Sequence, residues 1–326
     1  MSNLEKHPDE LILDEPADAT ASPVPTGVQV LEAREVPLGG PRAMKVHRTL
    51  PQRGRPTIGA WCFADHYGPG DSDSMVVPPH PHTGLQTASW LFGGEIEHRD
   101  SAGTLGRIHP GQLNLMTAGR GISHSEVSFG DATTLHGVQL WIVLPDDARH
   151  VEPFFERHTA VRTTVADAAL QVFAGSMAGA STPASVFTPL LGAQLDLPPH
   201  GRAELPLDSA FEHGLLVDVG PLTVDGTEVA RTELAYLPPG ADSVVVSAGE
   251  AGARALLLGG EPFGETFIMW WNFIGRSHDE IAQFRSDWQS DAITHSDPGG
   301  RFGLVDYDGR ALPAPEMPTV RLKPRS

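Results

Sequence analysis

Turn residues interrupt this chain too often for long helices. Of its 326 residues, 35 are glycine and 29 proline. Glycine supplies backbone angles that other residues avoid, and proline removes a backbone donor. No collagen-like period is present, so the punctuation leaves short runs of strand length. LQTASWLF (85–92), EIEH (95–98), QLNLMT (112–117), ISHSEV (122–127) and LHGVQLWIVLP (135–145) read as strands. Turns fall at 101–106, 109–111 and 118–121. Gly93-Gly94 between two extended runs predicts a two-residue hairpin. Strands at this spacing predict an all-β fold, a sandwich or barrel.

The second half has the same rhythm, in GAQLDLPPHGRAELPL (192–207), GLLVDVG, PLTVDGTEV, ELAYLPPGADSVVVSAG and ALLLGGEPF. Leu237-Pro238-Pro239-Gly240 precedes an apolar strand, as Ile108-His109-Pro110-Gly111 does. This weak internal repeat predicts two barrels of one kind, joined near 146–185. Helices are few. Ser277 and Glu280 form a capping box, with Ile281, Phe284 and Trp288 on one face. A second, short helix is expected near 147–157. The expected layout is an acidic disordered arm over 1–25, a first barrel over 26–150, a second barrel with its closing helix over 151–290, and a proline-rich, solvated tail over 291–326.

Lys and Arg total 23 against 41 Asp and Glu, a net charge of −18. That balance excludes binding to nucleic acid through phosphates. No apolar run is long enough to span a bilayer, and the opening residues do not read as a signal peptide. One cysteine, Cys62, fits a reducing cytoplasm and reads as a small core residue.

Seven of the 15 histidines, at 66, 80, 82, 98, 109, 124 and 136, fall between residues 66 and 136, within the expected first barrel. In an extended segment residues i and i+2 point to one side. His80-Pro81-His82 therefore offers two imidazoles together, and Pro81 stiffens the spacing. His124-Ser125-Glu126 offers an imidazole and a carboxylate in the same way. If these two strands face each other across a barrel, three nitrogens and one oxygen converge. Such a set suits non-haem Fe(II) or a neighbouring first-row metal better than Ca²⁺ or Mg²⁺. The other histidines read otherwise: His98 as a surface or edge residue, His109 in a turn, His136 at a core edge, and His66 in a loop held with Asp65.

The run PHPHTGLQTASWLFGGEIEHRDSAGTLGRIHPGQLNLMTAGRGISHSE (79–126), with CFADHYGP (62–69) upstream, strongly resembles the pirin family of bicupins. The resemblance implies two cupin barrels packed face to face, with one metal, usually iron, in the first. The family's ligands match His80, His82, His124 and Glu126. The second barrel would hold no metal, and 186–260 contains only His200 and His213. Some members open flavonols such as quercetin with O₂; others act as redox-sensitive co-regulators of transcription or bind metabolic enzymes. One departure stands out. After the HPH motif the family commonly has Arg-Gly-Phe-Glu, where this chain has Thr83-Gly84-Leu85-Gln86. By parity with His80 and His82, Gln86 is expected to face the barrel interior and to orient a water or substrate oxygen without binding metal.

The expected function is a dioxygenase of the quercetinase type, with Fe(II) as cofactor ahead of Ni, Cu, Mn or Zn. Its partners would be a flavonol-like small molecule and O₂. Glu126 would remain a ligand or take the substrate's proton. The alternative is a non-enzymatic, iron- or redox-sensing adaptor that binds a protein partner; a structural metal is the third reading.

Overall fold

The computed structural model describes residues 27–38, 44–69, 75–129 and 135–324. The acidic arm expected at 1–25 lies outside the described residues. The first half forms β1 (Gln29–Leu31), β2 (Arg34–Leu38), β3 (Met44–Leu50), β4 (Trp61–Tyr67), β5 (Val76–His82), β6 (Leu85–Gly93), β7 (Ile96–Asp100), β8 (Leu105–Ile108), β9 (Gln112–Thr117), β10 (Ile122–Ser128), β11 (His136–Val143) and β12 (Phe154–Thr159). The second half forms β13 (Val161–Val165), β14 (Ala168–Met177), β15 (Ala180–Thr182), β16 (Leu190–Leu197), β17 (Arg202–Pro206), β18 (Glu212–Val219), β19 (Leu222–Val224), β20 (Thr227–Val229), β21 (Leu234–Leu237), β22 (Ser243–Ala248) and β23 (Ala253–Gly260). A hairpin of β24 (Ile268–Trp270) and β25 (Phe273–Gly275) and the helix α1 (His278–Trp288) close the fold.

The chain is all-β, with two barrels. The first joins a sheet β12-β9-β6-β11-β4-β3-β2 to a smaller sheet β5-β10-β7-β8. The second joins β1-β21-β18-β23-β16-β14-β13 to β17-β22-β19-β20, with β15 beside β14. The two orders coincide strand for strand, with β5, β7, β8 and β10 answering to β17, β19, β20 and β22. The repeat is real, but the two Pro-Gly turns are not its equivalent points. Residues 237–240 lead from β21 to β22, so their counterpart is the turn from β9 to β10, not 108–111.

The expected boundary at 150 does not separate the barrels. β12 pairs with β9 and completes the first barrel's larger sheet. β1 pairs with β21 and completes the second. Each barrel thus takes one edge strand from the segment that precedes the other.

Large apolar side chains fill the space between the barrels. Trp90 stacks on Phe173 at 4.6 Å and donates from Nε1 to Gln194 Oε1 at 2.9 Å. Trp61 donates to the Leu191 carbonyl at 3.1 Å. Several polar groups there are hydrogen-bonded, as burial favours. Asp218 Oδ1 accepts from His66 Nε2 at 2.6 Å and His136 Nε2 at 2.5 Å, and its Oδ2 accepts from Arg254 Nε at 2.5 Å. His66 is therefore a buried strand residue facing the second barrel, and Asp65 instead holds Arg48 at 2.7 Å.

Three local expectations change. Gly93-Gly94 is not a hairpin: β6 lies in the larger sheet and β7 in the smaller, so the pair turns a barrel corner, with Gly94 left-handed (φ 78°). No helix forms over 147–157; one turn, with Arg149 N donating to Pro145 O at 2.9 Å, leads into β12, whose pairing with β9 outweighs local preference. The tail, expected to lie solvated across the surface, does lie there but is anchored to the fold. Beyond α1 a wide-turned helix continues over Gln289–His295, and the chain then lies against the first barrel. Phe302 is buried, Leu312 N donates to Pro79 O at 2.8 Å, and Trp288 Nε1 donates to Leu312 O at 2.8 Å. This strap covers the open edge of β5. α1 itself is capped as expected, Ser277 Oγ accepting from Glu280 N, while the Glu280 carboxylate accepts from Arg276 N at 2.6 Å.

Candidate metal centre

β5 carries Pro78, Pro79 and Pro81, which a central strand would not tolerate; at a sheet edge the missing donors cost nothing. Its one strand neighbour is β10. The two lie side by side rather than across the barrel: His124 stands opposite His80, and Ile122 opposite His82. A register shift follows between His124 and Glu126. On the other side of β10, Glu126 stands opposite His98 in β7, and His124 opposite Asp100. Of these seven paired residues all but Ile122 are polar or charged, and all seven are buried.

His80, His82 and His124 converge, their ligand atoms within 4.8 Å of one another. Outer hydrogen bonds set the tautomers, as is usual for metal-binding histidine. His80 Nδ1 donates to Pro78 O at 2.9 Å and His82 Nδ1 to Asn272 O at 3.2 Å. Their Nε2 lone pairs therefore face inward. His82 Nε2 lies 3.1 Å from His124 Nε2, and His80 Nε2 is buried with no hydrogen-bond partner. Unprotonated nitrogens this close repel unless a cation lies among them, so the donor set fits a metal ion. Burial pushes the His80 pKa down to about 3 and those of His82 and His124 well below the ordinary value, with neighbouring imidazoles adding to the effect on the latter two. All three rings are neutral near pH 7, the ligand form.

Glu126 belongs to an overlapping set with His124 and His98. Its Oε1 accepts from Ser89 Oγ at 3.4 Å. The Tyr67 hydroxyl is buried without a partner, and burial together with the Glu126 charge raises its pKa.

His98 is a buried interior residue, not a surface one. Ile96, His98 and Asp100 alternate inward along β7. His98 Nε2 donates to Asp100 Oδ2 at 3.0 Å, which leaves His98 Nδ1 as acceptor 3.4 Å from His124 Nδ1. Burial opposes ionisation of Asp100, but bonds from His98 and Thr104 hold its pKa below the usual range. A chain from Asp100 through His98 thus orients His124, and Phe155 of β12 stacks on His98 at 4.7 Å. The signal in the sequence was Ile96: its parity fixes His98 as interior. Tyr67 and the Asn272 carbonyl gave no such signal.

Gln86 does not face the interior. Its Nε2 donates to Thr117 Oγ1 at 2.9 Å and to Ser185 O, in the second half, at 2.8 Å. It shares parity with Trp90, which packs on the second barrel, whereas Ser89 of the opposite parity reaches Glu126. Gly84, left-handed (φ 67°), turns the chain from one sheet to the other and resets the alternation.

A second buried group, His66, His136 and Asp218, also brings ligand atoms together. There the Arg254 guanidinium already supplies the positive charge, and each histidine bonds the carboxylate directly. It reads as a hydrogen-bonded charge cluster between barrels.

The fold and this histidine-rich interior define a bicupin with a site for a divalent metal. Residues 43–142 match the family described as Pirin, and residues 192–293 match the Pirin C-terminal cupin domain. A Pseudomonas aeruginosa protein, PA1205, named as a candidate quercetin 2,3-dioxygenase, is 43% identical over 296 residues, 89% of this chain and 91% of its own. A pirin-like protein of Caulobacter vibrioides is 37% identical over 300 residues, 88% of this chain and 99% of its own. The crystal structure of a quercetin 2,3-dioxygenase from Acinetobacter baumannii superposes with a TM-score of 0.84 at 36% identity, covering 90% of this chain and 97% of that one. The chain belongs to the pirin family. Among the described residues no helix is long and apolar enough to cross a membrane.

Proposed function

We propose that this protein is a metal-dependent dioxygenase of the quercetinase type, with His80, His82, His124 and Glu126 holding Fe(II). The convergence of three neutral imidazole Nε2 edges in a buried pocket carries the reading; the names of the Pseudomonas and Acinetobacter relatives support the substrate class. When bound, the metal supplies positive charge that lowers the pKa of a flavonol hydroxyl and leaves the substrate electron-rich toward O₂. His80 and His82, fixed through Nδ1 by backbone carbonyls, and His124, fixed through His98, keep their lone pairs aimed at one point. A Glu126 carboxylate oxygen takes the hydroxyl proton, a general-base role for a group already among the donors. Tyr67 offers a hydroxyl donor beside it, and Trp141, edge-on to His82 at 5.2 Å, presents an apolar wall. Burial of the site excludes bulk water. Buried, unpaired Cys62 accords with a cytoplasmic location.

The test is protein reloaded anaerobically with Fe(II), mixed with quercetin in air. Loss of flavonol absorbance matched by equal O₂ uptake is the expected result. Full metal occupancy without either would leave the redox-sensing adaptor as the better reading.

A further inference from the structure

One of the three converging imidazoles is held by a segment that belongs to neither barrel. His82 Nδ1 donates to the Asn272 carbonyl, 190 residues on, at 3.2 Å. Asn272 lies in the turn of the β24–β25 hairpin, a separate two-stranded sheet in which Trp270 stands opposite Phe273. The hairpin docks on the residues that follow His82. Thr83 forms a parallel bridge with Phe273, Ile274 N donates to Thr83 O at 3.0 Å, and Thr83 Oγ1 donates to Ile274 O at 3.4 Å. The approach is so close that a Cβ on Gly84 would meet Ile274 O at 2.5 Å.

The other central residue of that turn, Trp271, is left-handed, with φ 51°. Glycine or asparagine ordinarily fills such a position, because a larger side chain there crowds its own backbone. A tryptophan persists there only where its surroundings hold it. Trp271 is 3% exposed, and its ring lies edge-on to Phe273 at 5.3 Å. Phe273 in turn meets Phe284 of α1 at 6.0 Å and Phe302 of the tail at 5.7 Å, and Phe302 meets Trp288 at 5.6 Å. Hairpin, helix and tail thus share one apolar cluster, all of whose members lie beyond residue 267.

We propose that Trp271 is a positioning residue for the metal centre: its ring, anchored in the C-terminal aromatic cluster, holds the turn in the conformation that aims the Asn272 carbonyl at His82 Nδ1. That carbonyl fixes the tautomer and the ring orientation of His82, so that Nε2 faces His80 and His124. The cluster offsets the backbone crowding at Trp271, and the metal centre gains an oriented donor. The coupling is reciprocal: a metal that holds His82 in this orientation also holds the hairpin against β5. The inference rests on the reading of His80, His82 and His124 as metal ligands and is independent of the oxygenase reaction.

The test compares Trp271→Ala with Trp271→Gly in the full-length protein. Co(II) affinity is measured by competition with a chelator, and the visible bands of bound Co(II) report the ligand geometry. Alanine keeps the backbone crowding and loses the anchor, so the turn should relax. Co(II) affinity should then fall about tenfold, with shifted bands and stoichiometry near one. Glycine also loses the anchor but takes the left-handed angle without strain, so affinity should stay within about threefold of wild type, with the bands restored. A role in packing alone gives the opposite order, because glycine removes one more carbon and loosens the turn. Glycine binding no better than alanine therefore overturns the proposal. If neither variant folds, hydrogen exchange of the wild type serves: the Ile274 amide should exchange more slowly with Co(II) than without it, and unchanged protection overturns the proposal. Wild-type protein that takes up no Co(II) would overturn the metal site and this proposal with it; tight wild-type binding with either failure above overturns this proposal alone.

Discussion

The two barrels are one scaffold with two linings. In the first barrel's smaller sheet the inward positions of β5, β10 and β7 carry His80, His82, His124, Glu126, His98 and Asp100. In the second, β17, β22 and β19 turn Ala203, Leu205, Val244, Val246, Leu222 and Val224 inward. Strand order and pairing are shared; the connecting turns and the side chains differ. The architecture therefore requires no metal, and the polar lining is retained at a cost in desolvation that only a bound ion offsets.

The strongest way to break that contrast is to remove a donor from one lining and an equivalent residue from the other. His124→Ala should lower metal affinity by at least about 100-fold, measured by competition with a chelator. Val246→Ala, on the answering strand, should leave metal affinity unchanged. Equal losses would mean that the second lining contributes to the site.

Next in size is His98→Phe, which keeps the stacking on Phe155 but cuts the chain from Asp100 to His124. Metal affinity should fall about tenfold with stoichiometry near one per chain. An unchanged affinity would show that His124 needs no outer partner.

Acid separates the barrels differently. His80, His82 and His124 carry no proton in the fold and each can take one up on unfolding, so the first barrel loses stability in acid through three imidazoles that also release the metal. In the second barrel's interior the corresponding group is His213 alone. Its folded pKa, about 4, lies below the ordinary value. Between about pH 6.5 and 4 the unfolded chain therefore binds the extra proton, and stability falls on acidification by about 1.4 kcal/mol per pH unit. Urea unfolding of metal-loaded protein should show stability falling on acidification, and His213→Leu should reduce that slope by this one proton's worth. An identical slope in both proteins would place the titration elsewhere.

The smallest effect concerns the seam. Gln86→Ala should cost about 1–3 kcal/mol by stranding Thr117 and the Ser185 carbonyl, with metal content unaltered. A change in metal affinity would put Gln86 back beside the donors.

Much of this was legible beforehand. The HPH and HSE spacings identified the three imidazoles because alternation along a strand is local physics. Alternation failed wherever the chain changes sheets: at Gly84, which turned Gln86 outward from the first interior, and at Gly93-Gly94. His98 was misread because EIEHRDS looks uniformly polar until Ile96 is used to set the parity. The tail's course over the surface was legible but its anchoring was not, because prolines exclude regular structure without excluding burial, and Phe302 anchors it. The pairing of β12 with β9, and of β1 with β21, joins residues far apart in sequence, which no local pattern reports.

That reciprocal exchange of edge strands governs how the molecule can be made. During synthesis β1 emerges first but waits about 200 residues for β21, while the first barrel lacks its last strand until Thr159 is out. A gene cut at residue 150 would yield two pieces, each with a bare β-edge where its donated strand belongs. Such edges invite pairing between copies. Co-expressed halves should therefore rescue one another, and either half alone should aggregate.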